Sequence, residues 1–296
     1  MGSDFIVTLL GTGNPSPRLD RFGPSTLIEA ADQKLVFDCG RGTMQRLYQI
    51  QQETQDFDKL FLTHLHSDHT TGIPDLWITR NIMDRSDKPL QIWGPKGTES
   101  MISHFRQAFK VDMKVRSEIE KIYGLSHQMG YEVEAFDVNE GFIYDVNGLT
   151  VEPFRVNHYG DYSDEPTLGY RIRYGDQCVV ISGDTCYCEN LIKYSKGANL
   201  LIHEVAAAAK DAHLSDNVRY VLSLHTSPEE CGRIFSEVKP KLALLHHVIQ
   251  CSGVSFASIE EILERTRKGY NGDVVVGEDL MRIKIGYRVK ILSLDS

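Results

Sequence analysis

The sequence lacks the features that would place it in several large classes of protein. Its six cysteines form no CxxC pair and no regular framework of spacings, which argues against a disulfide-stapled secreted scaffold and for a reducing, cytoplasmic compartment. No apolar run approaches the roughly 18 residues that a membrane-spanning helix needs. The opening MGSDFIVTLLG has no basic stretch ahead of an apolar one, so no signal peptide is expected. Basic residues are outnumbered, with 32 Lys and Arg against 41 Asp and Glu, a net charge of −9. Such a chain is repelled by nucleic acid and by anionic membranes unless it gathers its basic residues locally, so nucleic acid is a disfavoured partner and a membrane is not expected. No low-complexity segment, Gly/Ser/Pro-rich linker or repeat divides the 296 residues, and they read as one domain. A chain this long buries enough surface to need no structural metal, which makes any metal site a candidate for chemistry.

Short β-branched runs are present throughout: FIVTLL, STLIEA, KLVFDCG, KLFLTH, LQIWG, FIYDV, TVEPFRV, LGYRIRYG, CVVISGD, NLLIHE, KLALLHH, DVVVGEDL and YRVKIL. Their length and composition predict strands. Helical patterns fall at 43–52, 72–81, 96–109, 189–195, 227–238 and 256–267, the 227–238 helix opening with a Ser-Pro-Glu-Glu cap. The mixture predicts a layered α/β protein with helices covering sheet faces. The stretch 110–140 carries helix-like charge patterning together with Tyr123, Met129, Tyr131 and Phe136, and reads as an insertion or lid whose aromatics hold an apolar leaving group.

Chemistry is concentrated in THLHSDHTTG, Thr63 to Gly72, directly after the strand-like KLFL. Three imidazoles and a carboxylate within six positions, His64, His66, Asp68 and His69, are nitrogen and oxygen ligands suited to Zn²⁺ and are hard to explain as packing. Three further strand runs end in ligand-type residues: His158, Asp184 and the pair His246–His247. Alternation along a strand makes it unfavourable for both members of that pair to face one site.

In this order the residues resemble the metallo-β-lactamase superfamily, and the resemblance covers almost the whole chain. It implies an αββα sandwich, with two mixed sheets packed face to face and helices outside. It further implies two Zn²⁺, with Mn²⁺ or Fe²⁺ as alternatives: one held by His64, His66 and His158, the other by Asp68, His69 and His247, with Asp184 bridging. His247 is preferred to His246 because LLHHV aligns with the family's strand-Thr-His pattern. Cys186 and Cys188 lie beyond the Asp184 turn and read as structural thiols.

The motifs LGTGNPSPRLDRFGPS, FDCGRGT, HSDHTTGIPDL, SGDT, LIHEVA and HTSPEE are similar to the branch that contains ribonuclease Z and the arylsulfatase-like and phosphodiesterase-like enzymes. That resemblance implies hydrolysis of small anionic esters (aryl sulfates, phosphodiesters or related organophosphates) by a hydroxide bridging the metals and oriented by Asp68. His225 and Glu204 are the implied charge-handling residues, and Asp38 is implied to orient the metal loop or a ligand histidine. After Glu204, Val205 and Ala206 depart from the family's motif. The alternatives are tRNA 3′ processing of the ribonuclease Z kind and lactone or carboxylic-ester hydrolysis. Ribonuclease Z is placed second because GRGTM and PDL depart from its usual GEGTQ and PGL, and because the short interval from His158 to Asp184 leaves no room for a tRNA-clamping arm. The expected partner is a small-molecule ester; a homodimer is left open.

Overall fold

The computed structural model describes residues 4–84, 88–124, 132–160, 163–210, 212–250 and 256–293. Two mixed sheets carry the fold. The first contains β1 (Phe5–Gly11), β2 (Ser25–Ala30), β3 (Gln33–Phe37), β4 (Lys59–Phe61), β5 (Leu90–Gly94), β6 (Val133–Asp137), β14 (Arg282–Ile285) and β15 (Lys290–Leu292), in the order β15-β14-β1-β2-β3-β4-β5-β6. The second contains β7 (Tyr144–Val146), β8 (Leu149–Val156), β9 (Thr167–Tyr174), β10 (Gln177–Ile181), β11 (Leu200–Ala207), β12 (Leu242–Gln250) and β13 (Val274–Val276), in the order β13-β12-β11-β10-β9-β8-β7. Each sheet is antiparallel in one half and parallel in the other: β3 to β6 and β10 to β13 run parallel.

The helices are α1 (Thr43–Gln49), α2 (Ser67–Thr70), α3 (Ile73–Asp84), α4 (Thr98–Ala108), α5 (Lys110–Ile122), α6 (Glu189–Ser195), α7 (Asp216–Ser223), α8 (Pro228–Val238) and α9 (Ile259–Arg267). The sheets face one another across a core of Val7, Leu9, Phe37, Phe61, Tyr170, Ile181, Ile202 and Leu244. Residues of α1, α3 and α4 pack on the outer face of the first sheet, and those of α6, α8 and α9 on the outer face of the second. This is the αββα metallo-β-lactamase sandwich. Among the described residues no helix is long and apolar enough to cross a membrane.

Local chemistry accounts for the starts of three helices. Ser227 caps α8 by accepting from the Glu230 amide, while the Glu230 carboxylate accepts from the Ser227 amide, and Pro228 occupies the first helical position. Ser215 and Ser258 cap α7 and α9 in the same way, without the reciprocal bond.

Elements absent from the sequence reading are β6, β14, α2 and α7. Within the stretch expected as an insertion or lid, 110–140, α5 follows α4 and β6 continues the first sheet, paired in parallel with β5 from Leu90↔Val133 to Gly94↔Asp137, while 125–131 lie outside the described residues. As an edge strand, β6 buries only Val133 fully, so the alternation that marks a half-buried strand is missing from VEAFD. Phe136 is used structurally, stacked at 5.5 Å on Trp93, while Tyr123 is exposed; Met129 and Tyr131 lie outside the described residues.

Candidate metal centre

The loop after β4 turns into the short helix α2, so that Asp68 and His69 lie on its first turns while His64 and His66 precede it. His158 follows β8, Asp184 follows β10, and Glu204 lies within β11, so the site is built on the ends of neighbouring strands. The structure brings all seven ligand candidates together in two groups. His64, His66, His158 and Asp184 each place one donor atom within 4.8 Å of the others, and so do Asp68, His69 and His247. One carboxylate oxygen joins the groups. Asp184 Oδ2 lies 3.7 Å from His64 Nε2 and 3.9 Å from His158 Nε2, and 3.4 Å from both His69 Nε2 and His247 Nε2. His247 Nε2 is also 3.2 Å from Asp68 Oδ2.

His247 reaches the site by an irregularity. The register of β11 against β12 runs Glu204↔His246 and then Val205↔Val248, which leaves His247 as the extra residue of a bulge, at φ +43°. The bulge re-aims its side chain. His246, in the regular pleat, borders a small space beneath the cluster that His247 also borders, and of the two only His247 belongs to a ligand group.

The ligand candidates are held from behind. His69 Nδ1 lies 2.8 Å from Asp38 Oδ2, His158 Nδ1 2.9 Å from the Leu224 carbonyl, and His64 Nδ1 3.0 Å from Thr63 Oγ1. Asp38 also accepts from the Thr63 amide at 2.8 Å and the Thr63 hydroxyl at 2.9 Å. With Nδ1 engaged, Nε2 of each ring is the atom turned inward, the arrangement that fixes imidazoles for metal binding.

Two of these inward atoms, His64 Nε2 and His69 Nε2, are buried without a hydrogen-bond partner. Buried polar atoms rarely stay unpaired, and nitrogen and carboxylate donors converging on one space fit divalent metal ions. Burial pushes His64, His66 and His158 down, towards the neutral form that can ligate. His69 is raised despite its burial because Asp184 and Asp38 flank it, a negative field that equally favours a cation. Burial opposes the charge on Asp68, but the His247 hydrogen bond holds its carboxyl down at about 2.

Beside the cluster, His225 Nδ1 lies 3.0 Å from Glu204 Oε1, which also accepts from the Thr185 and Thr226 amides. Burial disfavours charge on His225, yet the adjoining carboxylate pushes it up to about 9. Cys186 belongs to neither ligand group: its thiol donates to the Ser223 carbonyl at 3.2 Å, and Cys188 is packed in the core outside the second sheet.

A cavity of about 540 Å³ opens over the cluster, bordered by His66, Asp68, Asp184, His225 and His247. Its apolar wall is Val218 and Val221 of α7 with Ile249 and Phe256; its polar rim includes Asn14, Arg18 and Asn217. None of the described residues of 110–140 borders it; the apolar side chains at its border come from α7, Ile249 and Phe256. Sequence reasoning missed this wall, although Ser215 followed by Asp216 is a helix-start signal that could have located α7.

A family model described as anti-Pycsar protein Apyc1 matches residues 5–250. The chain belongs to that family. It is also 33% identical over 287 residues to ribonuclease Z from Mycobacterium sp. (strain KMS), covering 94% of this chain and 95% of that protein. In fold it is similar to the metallo-β-lactamase fold protein YhfI from Bacillus subtilis, with TM-score 0.71 and 19% identity over 95% of this chain and 100% of that one. It is likewise similar to the short form of human tRNase Z, with TM-score 0.70 and 22% identity over 95% of this chain and 99% of that one. The family member is thus a metal-dependent hydrolase of metallo-β-lactamase fold, with His/Asp clusters able to bind metal.

Proposed function

We propose that the protein is a two-metal hydrolase of phosphodiesters and related small anionic esters. The observation that carries this reading is the position of Asp184 Oδ2 between two groups of imidazoles, at the floor of a cavity that also exposes the Glu204-held His225. His64, His66 and His158 would hold one Zn²⁺, and Asp68, His69 and His247 the other, with Asp184 between them; Mn²⁺ or Fe²⁺ suits the same donors. When bound, such a pair supplies a water acidic enough to act as nucleophile near neutrality, and positive charge for an attacked phosphoryl group.

The chain's own residues do the remainder. Asp68, kept ionised by His247, faces the cavity with an acceptor oxygen that can orient a nucleophilic water. His225, kept cationic by Glu204, can donate a hydrogen bond to a phosphoryl oxygen or a proton to the leaving alkoxide. Val218, Val221, Ile249 and Phe256 offer an apolar surface to an aryl or base-like substituent. A volume of about 540 Å³ is that of a small-molecule site.

The second reading, endonucleolytic processing of tRNA 3′ ends, is favoured by the identity to ribonuclease Z along almost the whole chain. Turnover of the zinc-reconstituted protein on bis-p-nitrophenyl phosphate, p-nitrophenyl sulfate, an acyl ester and a pre-tRNA decides between them. Fast phosphodiester turnover with weak pre-tRNA cleavage is expected. Efficient, correctly placed removal of the 3′ trailer with trace activity on small esters would establish the second reading and overturn the first.

A further inference from the structure

On the side of the cluster away from the large cavity, between the two sheets, lies a space of about 20 Å³ bordered by Ser25, Asp38, Ser182, Asp184, Glu204 and His246. One water needs about 10–15 Å³ measured in this way. Five of the bordering side chains carry a buried polar atom with no hydrogen-bond partner: the ligand candidates His69 (Nε2) and His247 (Nδ1) on the cluster side, and Asp184 Oδ1, Glu204 Oε2 and His246 Nε2. Asp184, Glu204 and His246 are 3%, 2% and 7% exposed.

The other carboxylate oxygens are already committed. All four histidine contacts of Asp184 are made by Oδ2, which turns Oδ1 away from the ligand groups. Glu204 Oε1 takes the Thr185 and Thr226 amides and His225, leaving Oε2 unused. Glu204 and His246 are register partners on β11 and β12, so their side chains leave the sheet on the same face. Ser182 offers no spare donor, because its hydroxyl is given to the Gly183 carbonyl. Two carboxylate oxygens bordering one enclosed space repel each other unless a proton donor lies between them.

We infer that this space binds one ordered water, which donates its two protons to Asp184 Oδ1 and Glu204 Oε2 and accepts a hydrogen bond from the Nε2–H of His246. His246 is then a positioning residue. Through the water it holds the Asp184 carboxylate in the orientation that presents Oδ2 alone to the imidazoles. The same water links Asp184 to the Glu204–His225 pair, so the metal-facing and charge-donating parts of the site share one hydrogen-bonded support. The role in positioning rests on the metal-centre reading above; the water itself rests on the space and its unpaired atoms.

The direct test is a crystal structure of the zinc-loaded protein at a resolution that shows ordered solvent. Density for one water at about 2.5–3.0 Å from Asp184 Oδ1 and Glu204 Oε2 is expected. An empty space, or density with the distances of a bound cation, overturns the inference. The second test is zinc affinity by chelator competition for His246→Leu and His246→Gln. His246→Leu is expected to lose roughly 10–100-fold in affinity, the usual effect of removing an outer partner of a metal ligand, and His246→Gln to recover most of it. Parent-like zinc affinity in a folded His246→Leu protein would show that His246 does not position Asp184. If the parent hydrolysed none of the esters, the proposed function would fail, while the solvent density and the chelator titration would still decide this inference.

Discussion

Removing the carboxylate of Asp38 offers a quantitative test of how the metal loop is held. Asp38 is 5% exposed and accepts from three buried donors: the Thr63 amide, the Thr63 hydroxyl and His69 Nδ1. Each hydrogen bond to a charged group contributes about 1.5–3 kcal/mol, and the three share one acceptor, so they do not add fully. Asp38 also sits at φ +57°, where alanine is strained and asparagine is tolerated. Asp38→Ala is therefore expected to cost about 4–5 kcal/mol. Asp38→Asn retains an acceptor for Thr63 and the backbone conformation but opposes an amide to His69, and is expected to cost about 2 kcal/mol.

At roughly 2–4 °C per kcal/mol for a chain of this size, these losses correspond to about 10–15 °C for the alanine variant and about 4–8 °C for the asparagine variant. Thermal unfolding in the presence of a chelator measures the structural part, and chelator competition measures zinc affinity, expected to fall roughly 10–100-fold in either variant. Alanine and asparagine variants that both unfold within about 2 °C of the parent would refute the hydrogen-bond argument. Unchanged zinc affinity would refute the assignment of His69 as a ligand oriented by Asp38.

His225→Ala is expected to keep its full metal content by elemental analysis while kcat falls about 10²–10³-fold; an undiminished rate on every ester would remove His225 from the chemistry. Phe256, 58% exposed on the cavity wall, is expected on change to alanine to raise KM for aryl phosphodiesters about tenfold with little effect on methyl esters, the equivalent of about 50 Å² of lost apolar contact; an equal effect on both would deny it a part in specificity. Asp279 accepts from the Thr12 amide, the Thr12 hydroxyl, the Phe22 amide and Arg46, and so ties down the loop that carries Arg18 and the cavity rim. Asp279→Ala is expected to lower the melting temperature and raise KM with metal content unchanged, and a parent-like melting temperature would contradict that tie.

Much of the site was legible because its residues are chemically improbable as packing. His64, His66, Asp68 and His69 crowd six positions, and His158 and Asp184 each end an apolar run, so residue type and place along the chain pointed to one space before any contact was known. The cavity wall was not legible in this way. In α7 the run DNVRYVLS is only eight residues long, and its stripe of Val218, Val221 and Leu222 is partly rather than fully buried, so two turns of helix are too short a pattern to stand out from the background. For β6 the difficulty was its place at the sheet edge: with one face open and mostly exposed side chains, VEAFD reads as connecting chain until its parallel pairing with β5 is seen.

The pair His246–His247 shows why residue type and alternation together still leave geometry undetermined. Alternation predicts that the two rings separate, because side chains in a regular strand change face at every residue. It does not say which of them joins the candidate ligand cluster, and nothing in LLHHV marks the extra residue that answers the question. With the bulge at φ +43°, His247 joins Asp68 and Asp184, while His246 remains beside Glu204 at the space beneath them. A slip of one residue in this pairing would exchange the destinations of the two imidazoles and of every side chain after them on β12. The irregularity is stabilised where it matters: the Val248 amide, the first beyond the bulge, donates to the Thr12 carbonyl at 3.0 Å, and the Val248 carbonyl accepts from Asn14 at 2.7 Å. The loop after β1 therefore does two things at once. It supplies the Asn14 and Arg18 rim of the cavity, and it pins the strand distortion that aims His247, which couples the shape of the proposed ester pocket to the placement of a proposed metal ligand.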